Sequence, residues 1–355
     1  MGGPTAEANL EQLGGWPAVL GRLSRREDLS AAETRAALAE VLAGEASDAQ
    51  IAGFVFGLRC KGETVEEMRG LVGAMLDAAE PVELPEELRG RLVDTCGTGG
   101  DRSGTINVST IAALVVAGAG VPVCKHGGRA ASSRAGSADV LEALGVEIGL
   151  GPAGVRACIE DAGIGFCFAP RFHAAMRHAI PVRRELGVPT AFNFVGPLAN
   201  PARVRRQVVG VGDPAMAPTM VGVLTGNGAT HVAVVHGADG LDELSTTGLS
   251  SLRFADGEMV VDPASFGLAP ATLAELRGGD ASTNAAAARA VLSGEPGAHR
   301  DVVVLNAAAG LLVGGAVGDL AEGVVLAAEA IDSGAAARAL DALVARSQSE
   351  AAAGR

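Results

Sequence analysis

The chain has 355 residues, of which 48% are hydrophobic, so it can bury a large core and is not globally disordered. Its formal net charge of −13 argues against nucleic-acid binding, which depends on Lys and Arg neutralising phosphates. The five cysteines are widely spaced, without a C-x-x-C pair, and favour free thiols in a reducing compartment over a disulfide scaffold or a zinc site.

The N-terminal segment lacks the basic-then-apolar pattern of a secretory signal peptide. The longest apolar run, residues 302–318, is interrupted by Asn306 and by several glycines, which favours a buried helix over a membrane span. We therefore expect a soluble, cytoplasmic protein with no membrane partner.

Residues 1–90 are predicted to form an all-helical domain. Three capping boxes, in which an N-cap hydroxyl pairs with an acceptor three residues later, precede apolar residues at helical spacing: Ser30 with Glu33, Ser47 with Gln50, and Thr64 with Glu67. Pro81 and Pro85 then indicate a linker. The proline-containing segment 184–206 shows no strand pattern, so we expect it to return to this helical domain.

From residue 91 onward, short apolar runs alternate with helical segments, the pattern of a parallel or mixed sheet covered by helices. The runs "RLVDTC", "VPVCKHG" and "HVAVVHG", and the apolar residues before Asp262, look like strands. The Ala-rich tail after residue 282 looks helical. We therefore expect an α/β domain over 91–183 and 207–355.

The glycine-rich stretch "DTCGTGGD", residues 94–101, follows the first predicted strand. Ligands of α/β proteins bind at the carboxyl ends of strands, and small residues let backbone N–H groups converge on an anion. Asp101 can accept a hydrogen bond from a ribose hydroxyl or order the loop. A plain glycine turn is the alternative, because the stretch matches neither a Walker A motif nor a dinucleotide fingerprint.

The segment "TINVST", residues 105–110, places Asn107, Ser109 and Thr110 at a predicted helix N-terminus, where anions are favoured. Ordinary N-capping by Ser109 is the alternative interpretation. Either way, the helix continues through the apolar residues that follow.

The segment "KHGGRAASS", residues 125–133, follows the second predicted strand. It places Lys125, His126 and Arg129 around a Gly-Gly turn, as a polyanionic ligand would require. A solvated surface patch is the alternative. Three such segments within forty residues favour one multiply phosphorylated ligand.

Asp242 and Glu243 are adjacent carboxylates in the loop after "HVAVVHG". Paired carboxylates near phosphates usually hold Mg²⁺, which prefers oxygen ligands. The stretch "DELSTTG" also imitates the ribose- and phosphate-binding loop of another phosphoribosyltransferase class, but that loop directly follows its strand, whereas "GADGL" intervenes here.

The segment 168–187 contains several basic residues among apolar ones: His173, Arg177, His178, Arg183 and Arg184. An Arg fork beside a hydrophobic wall would suit an aromatic substrate that carries a carboxylate. A basic surface helix is the alternative.

These segments, in this order, resemble the anthranilate phosphoribosyltransferase family. The similar stretches run from "ASDAQIAGF" and "KGET" through "DTCGTGGD", "NVST", "KHGGRAASS", "GSADVLEALG", "FAPRFHAAMRH", "TAFNFVGPLANP" and "HGADGLDE" to "GGDASTNAAAARAVLSGEPG" and "VVVLNAAAGL". The resemblance implies a homodimer whose subunit has a small all-helical domain and a large α/β domain, with the mixed, mostly parallel sheet of the nucleoside phosphorylase and phosphoribosyltransferase type. It implies Mg²⁺-dependent transfer of a phosphoribosyl group from its 1-diphosphate to anthranilate, in tryptophan biosynthesis.

Carried over by motif, the resemblance also implies three sets of site residues. Those for the phosphoribosyl diphosphate are Gly97, Gly100, Asp101, Thr105, Asn107, Val108, Ser109, Thr110, Lys125, His126, Gly127, Gly128, Arg129, Ala130, Ala131, Ser132, Ser133 and Ser137. Those for anthranilate are Gly97, His126, Gly128, His173 and Arg183. The metal ligands are Ser109, Asp242 and Glu243. No residue is assigned as a general base, because an aromatic amine needs no deprotonation before it attacks.

Two positions depart from the family pattern. Gly128 stands where the family usually has Asn, and Ala174 stands where it favours Pro. The change at Gly128 removes an amide partner of anthranilate and leaves room, so another aminobenzoate acceptor remains an alternative. A pyrimidine nucleoside phosphorylase, which shares the fold, is a further alternative, but it would leave the Asp242–Glu243 pair without a purpose.

Overall fold

The structure, a computed structural model, describes residues 9–101, 103–130 and 134–354. The described N-terminal part is helical and comprises the 3₁₀ turn Glu11–Leu13, α1 (Gly15–Ser24), α2 (Ala31–Ala43), α3 (Asp48–Lys61), α4 (Val65–Ala78) and α5 (Glu86–Arg89). All three predicted capping boxes are confirmed, at the starts of α2, α3 and α4. Reciprocal side-chain bonds at the N-caps therefore fix where these helices begin.

A seven-stranded sheet follows, with the strand order β3-β2-β1-β4-β5-β6-β7. Its strands are β1 (Val93–Gly97), β2 (Val123–Gly127), β3 (Ile164–Phe168), β4 (Arg206–Gly210), β5 (His231–Gly237), β6 (Ser250–Arg253) and β7 (Glu258–Val261). The first five strands in this order pair in parallel, and β6 and β7 are antiparallel. The predicted mixed, mostly parallel sheet is confirmed.

Three strands, β3, β4 and β6, have no counterpart in the sequence-based prediction. Each is four or five residues long, and β3 contains Gly165, where a Cβ would meet the Val155 carbonyl. β4 follows a proline-containing segment, and β6 begins with two serines. Short strands of this composition gain their stability from sheet neighbours rather than from local preference.

The remaining helices lie mostly between and after the strands: α6 (Val108–Gly118), α7 (Ser137–Ala143), α8 (Pro152–Ala162), α9 (Ala169–Phe172), α10 (Ile180–Leu186), α11 (Phe192–Leu198), α12 (Ala217–Gly226), α13 (Ala281–Leu292), α14 (Ala298–Gly314), α15 (Leu320–Asp332) and α16 (Ala335–Ala353). Further 3₁₀ turns are Ala174–His178, Pro214–Met216 and Pro263–Phe266. Residues 302–314 of the longest apolar run belong to the buried helix α14, as predicted, and the helix ends before residues 315–318. Among the described helices, none combines the length and apolarity needed to cross a membrane.

Two large apolar clusters support the sheet. One joins α6, α14, α15 and α16 to residues of β1, β2 and β5, including Val93, Val123 and Val235. The other joins helices α1–α4 to α11, α12 and residues of β4 and β5, including Val209 and Val234. The segment around α11 thus shares a core with the N-terminal helices, while the predicted domain boundaries at residues 90, 183 and 206 stay a prediction.

Candidate active site

Four neighbouring strands end on glycine at the carboxyl edge of the sheet: Gly127 on β2, Gly97 on β1, Gly210 on β4 and Gly237 on β5. A Cβ at Gly97 would lie 2.5 Å from Oδ2 of Asp242, and one at Gly210 would collide with the Asp242 carbonyl oxygen. Glycine at these two positions therefore lets the loop after β5 lie directly on the strand ends. This edge is where parallel α/β sheets bind their ligands.

A cleft of about 290 Å³ opens at this edge. It brings together most of the predicted site residues: Gly97, Asp101, Thr105, Asn107, Val108, Ser109, Thr110, Lys125, His126, Gly127, Gly128, Arg129, Ala130, Ser137, Asp242 and Glu243. Gly100 does not line the cleft, although its chain neighbours Gly99 and Asp101 do. Ala131, Ser132 and Ser133 lie outside the described residues. A groove of about 1040 Å³ at helices α2 and α4 is larger, but half of its lining residues are alanine or glycine, and its charged residues are scattered over the surface. Convergent polar groups make the smaller cleft the candidate site.

The Asp242–Glu243 pair lies at the centre of the cleft. Oδ2 of Asp242 accepts a hydrogen bond from the Gly99 N–H at 2.7 Å, and Oε1 of Glu243 accepts one from the Ser109 N–H at 3.1 Å. Burial, together with the charge of Asp101, raises the pKa of Asp242 to about 6. Burial, together with the charge of Asp242, raises the pKa of Glu243 to about 8. Two carboxylates thus share a poorly solvated space with too little compensating positive charge.

This donor set fits Mg²⁺ in kind, because it consists of oxygen atoms whose negative charge a cation would relieve. Within the described residues, however, no group of three or more His, Cys, Asp or Glu side chains is placed to hold a metal ion. A cation there would need further oxygen ligands, such as the Ser109 hydroxyl, water and substrate. Such partial protein ligation is typical of Mg²⁺ sites that bind phosphates.

Lys125 is a buried residue at the floor of the cleft. Its Nζ donates to the Thr95 carbonyl and to Oγ of Ser109, the latter at 3.4 Å. Its charge lowers the pKa of Glu243 and also that of Asp94, although burial, the largest effect, still raises the pKa of Asp94 to about 6. The charge of Lys125 therefore acts both on the buried Asp94 and on Glu243 of the acidic pair.

The expected group of three cations in "KHGGRAASS" needs correction. Burial lowers the pKa of His126 to about 3, so this imidazole is neutral. The Arg129 guanidinium is paired with Asp139 at 2.7 Å and with Glu142 at 2.9 Å. Of the three side chains, Lys125 is therefore the one whose positive charge acts on Glu243.

The residues predicted to receive anthranilate lie partly outside the cleft. His173 lies against His126, with ring centroids 5.1 Å apart, and its Nε2 lies 2.9 Å from the Ala199 carbonyl oxygen. Arg183 is a half-buried residue of α10, and burial lowers its pKa. No carboxylate among the described residues forms an ion pair with Arg183. Neither His173 nor Arg183 lines the cleft itself.

Comparison with known proteins shows which family has this architecture. Models of a glycosyl transferase family match residues 17–79, as its helical bundle domain, and residues 89–337, as its a/b domain. An anthranilate phosphoribosyltransferase from Salinispora arenicola is 55% identical over 335 residues, covering 92% of this chain and 95% of the relative. The chain belongs to the anthranilate phosphoribosyltransferase family. The predicted family and enzyme class are confirmed.

Solved structures of anthranilate phosphoribosyltransferases have the same fold. The enzyme from Thermus thermophilus is 43% identical with a TM-score of 0.88, covering 93% of this chain and 99% of its own. The enzyme from Saccharomyces cerevisiae, in complex with PRPP and Mg, is 28% identical with a TM-score of 0.87, covering 94% and 98% of the two chains. The predicted fold class is thereby confirmed, whereas the individual site residues stay a prediction.

The start of α6 differs from the alternative in which Ser109 is the N-cap residue. The helix begins at Val108, so Ser109 is its second residue and not its N-cap. Asn107 is the N-cap residue, and its side chain makes no capping bond. Instead its Nδ2 donates to the Ala135 carbonyl at 3.1 Å, and its Oδ1 accepts from Asn284 Nδ2 at 2.8 Å. Asn107 therefore joins the start of α6 to Ala135 on the cleft wall and to α13 behind it.

Sequence reasoning missed the polar residues beneath the cleft. Oδ1 of Asp94 accepts from the His126 N–H at 3.2 Å, and its Oδ2 accepts from Asn200 Nδ2 at 2.8 Å. Asn284, which orients Asn107, lies on α13. All three lie in stretches that resemble the family. Asp94 and Asn284 could have been found from the sequence, because each is a polar residue at a position where a strand or an Ala-rich helix is expected to be buried.

Proposed function

We propose that this chain transfers the 5-phosphoribosyl group of 5-phospho-α-D-ribose 1-diphosphate to the amine of anthranilate. The products are N-(5-phospho-β-D-ribosyl)anthranilate and diphosphate, and the step belongs to L-tryptophan biosynthesis. Family membership over nearly the whole chain supports this reaction. The observation that carries it is the poorly solvated Asp242–Glu243 pair, which faces the glycine-rich loop and the start of α6 and whose negative charge Lys125 offsets only in part.

The chain's own residues would hold the metal and the sugar diphosphate. Asp242 and Glu243, with the Ser109 hydroxyl, are the proposed ligands of Mg²⁺, and the yeast relative with PRPP and Mg supports the metal's identity. When bound, Mg²⁺ would stabilise the negative charge of the departing diphosphate. Lys125, at the floor of the cleft, would add positive charge close to the acidic pair. Catalysis then comes from positioning and electrostatics rather than from a general base.

Asp101 orders its own loop in this structure. Its Oδ1 accepts from the Ser103 N–H at 3.3 Å, and its Oδ2 accepts from Ser103 Oγ at 2.6 Å. Oγ of Ser103 also lies 3.3 Å from Oγ1 of Thr105. A carboxylate engaged in this way shapes the loop whose backbone N–H groups would approach the phosphates. Because a carboxylate repels phosphate, the ribose hydroxyls are the substrate groups that Asp101 would bind.

Anthranilate would bind through its carboxylate to Arg183, because that guanidinium is half-buried and has no acidic partner among the described residues. Nε2 of His126 is buried and has no hydrogen-bond partner within the described residues, so it can bind a polar group of the acceptor. The neutral amine then attacks the anomeric carbon as the diphosphate leaves, and it loses its proton afterwards to phosphate or water.

A second acceptor is favoured by one observation at Gly128. A Cβ there would meet no described atom closer than the Cβ of Ala169, at 3.9 Å, and the backbone of Gly128 is not in the left-handed region. Neither close packing nor conformation therefore requires glycine. The space supports a substituted aminobenzoate as an alternative acceptor, and competition between anthranilate and ring-substituted aminobenzoates tests it.

The reaction is tested by incubating the protein with the sugar diphosphate, Mg²⁺ and anthranilate, and following the loss of anthranilate fluorescence. We expect a loss that requires all three components. Persistent fluorescence while another aminobenzoate is consumed would favour the alternative acceptor. Phosphate-dependent cleavage of a pyrimidine nucleoside, without Mg²⁺, would instead indicate a nucleoside phosphorylase.

We also propose that the protein is a cytoplasmic homodimer without nucleic-acid partners. All five cysteines are free thiols, which suits a reducing compartment, and the net charge of −13 disfavours nucleic acid. Light scattering during size-exclusion chromatography tests the dimer, and a monomeric mass would contradict it. A gel shift at moderate salt tests nucleic-acid binding.

A further inference from the structure

Asn306 is a buried polar residue in the middle of the apolar helix α14. Only 4% of its surface is exposed, and the neighbouring residues from Val302 to Ala309 are buried as well. A buried amide is costly unless its donors and acceptor are all paired. What Asn306 pairs with therefore indicates why an amide stands there.

The Asn306 side chain binds the backbone of the loop after β5. Its Oδ1 accepts from the Leu244 N–H at 2.9 Å, and its Nδ2 donates to the Leu244 carbonyl at 2.8 Å. Nδ2 also donates to the Val302 carbonyl at 2.8 Å, one turn earlier in α14. Asn306 thus satisfies both backbone groups of the residue that directly follows Asp242 and Glu243.

The acidic pair is held from two sides. On one side, the sheet edge contacts Asp242 through Gly97, Gly210 and the Gly99 N–H. On the other side, α14 holds the next residue, Leu244, through Asn306. The sheet edge and α14 therefore hold neighbouring parts of the same loop, one at Asp242 and the other at Leu244.

We infer that Asn306 is a positioning residue for the Asp242–Glu243 pair, and that through the Leu244 backbone it sets the carboxylate spacing at which a divalent cation binds. This inference rests on the metal role given to the pair in the proposed function. Asn306 touches no substrate. Its loss removes the outer support of the ligand loop while the two carboxylates remain.

The test measures binding of Mn²⁺, as a probe for Mg²⁺, by electron paramagnetic resonance in the absence of substrates. Asn306→Leu removes both bonds to Leu244, and Asn306→Asp keeps the shape and the acceptor but loses the donor. We expect Mn²⁺ affinity to fall about tenfold in each, the lower end of what loss of a supporting partner costs a metal site. If Asn306→Leu fails to fold, Asn306→Asp decides alone.

Ser347→Ala is the matched control. Ser347 is buried in α16, and its Oγ accepts from the Glu147 N–H at 3.0 Å, which is also a bond from a helix side chain to a loop backbone. Neither residue lines the cleft. We expect Ser347→Ala to lower the melting temperature and to leave Mn²⁺ affinity unchanged, so a general loss of stability is separated from a loss of positioning.

The outcomes distinguish the inference from the proposed function. Folded Asn306 variants with wild-type Mn²⁺ affinity would overturn the inference, and so would an equal loss of affinity in Ser347→Ala. If the wild-type protein binds no Mn²⁺, the inference falls together with the metal role. If it binds Mn²⁺ but does not modify anthranilate, the proposed reaction fails, and weaker Mn²⁺ binding in the Asn306 variants still supports the inference.

Discussion

Replacing Glu243 by Gln removes one buried negative charge and keeps the side-chain volume and an acceptor for the Ser109 N–H. The pKa values of about 6 for Asp242 and about 8 for Glu243 lie above the ordinary values near 4. Folding therefore favours the protonated carboxyl groups. The stability that they contribute is complete below about pH 4 and is lost as the pH rises through about 6 and about 8.

The size of the effect follows from the same shifts. One pKa unit corresponds to about 1.4 kcal/mol, so ionising the pair costs the metal-free protein on the order of a few kcal/mol near pH 8. Glu243→Gln removes one ionisation and the repulsion from Asp242. We expect it to stabilise the metal-free protein by about 1–3 kcal/mol at pH 8 and to change little at pH 5. At roughly 2 °C per kcal/mol, the melting temperature should rise by several degrees at pH 8.

Thermal unfolding in EDTA at pH 5 and pH 8 measures this difference directly. Added Mg²⁺ at pH 8 should raise the melting temperature of the wild-type protein, because it binds the ionised pair, and should do so much less in Glu243→Gln. The reasoning is refuted if the variant is no more stable than the wild type at pH 8, or if its gain is the same at both pH values.

Three further substitutions test the binding roles. Arg183→Ala should raise the KM for anthranilate about tenfold or more, because a charged hydrogen-bond partner of its carboxylate is lost, and should leave the KM for the sugar diphosphate nearly constant. Unchanged steady-state kinetics would rule out this role of Arg183. Lys125→Ala should lower turnover or the affinity for the sugar diphosphate, and a variant with wild-type kinetics would contradict the electrostatic argument. Gly97→Ala places a Cβ 2.5 Å from Oδ2 of Asp242, so Mg²⁺ titrations should show a weaker apparent affinity, whereas an unaltered Mg²⁺ dependence would show that the loop can move without consequence.

Local signals in the sequence predict the helical part of the fold well. The capping boxes of α2, α3 and α4 depend on residues three positions apart, so their chemistry is visible in any short window. β3, β4 and β6 lack such a signal, because pairing with distant strands stabilises them. Their prediction would require knowledge of the sheet itself.

The candidate site shows the same division between local and distant causes. The loops around Gly97, Ser109 and Lys125 are recognisable because small and polar residues follow strand-like runs. That His126 is neutral could not be predicted, because its pKa is set by burial and by the approach of His173, which is distant in the chain. The clamp on Leu244 was equally hidden, since Asn306 lies 62 positions away.

The most direct test of the proposed reaction is the stoichiometry of its products. The purified protein is incubated with anthranilate, 5-phospho-α-D-ribose 1-diphosphate and Mg²⁺, and both N-(5-phospho-β-D-ribosyl)anthranilate and diphosphate are quantified by mass spectrometry and an enzymatic diphosphate assay. We predict equal amounts of the two products and none when EDTA removes the metal. Unmodified anthranilate, or product formation that continues undiminished in EDTA, would contradict the assignment of the acceptor or of the Asp242–Glu243 pair.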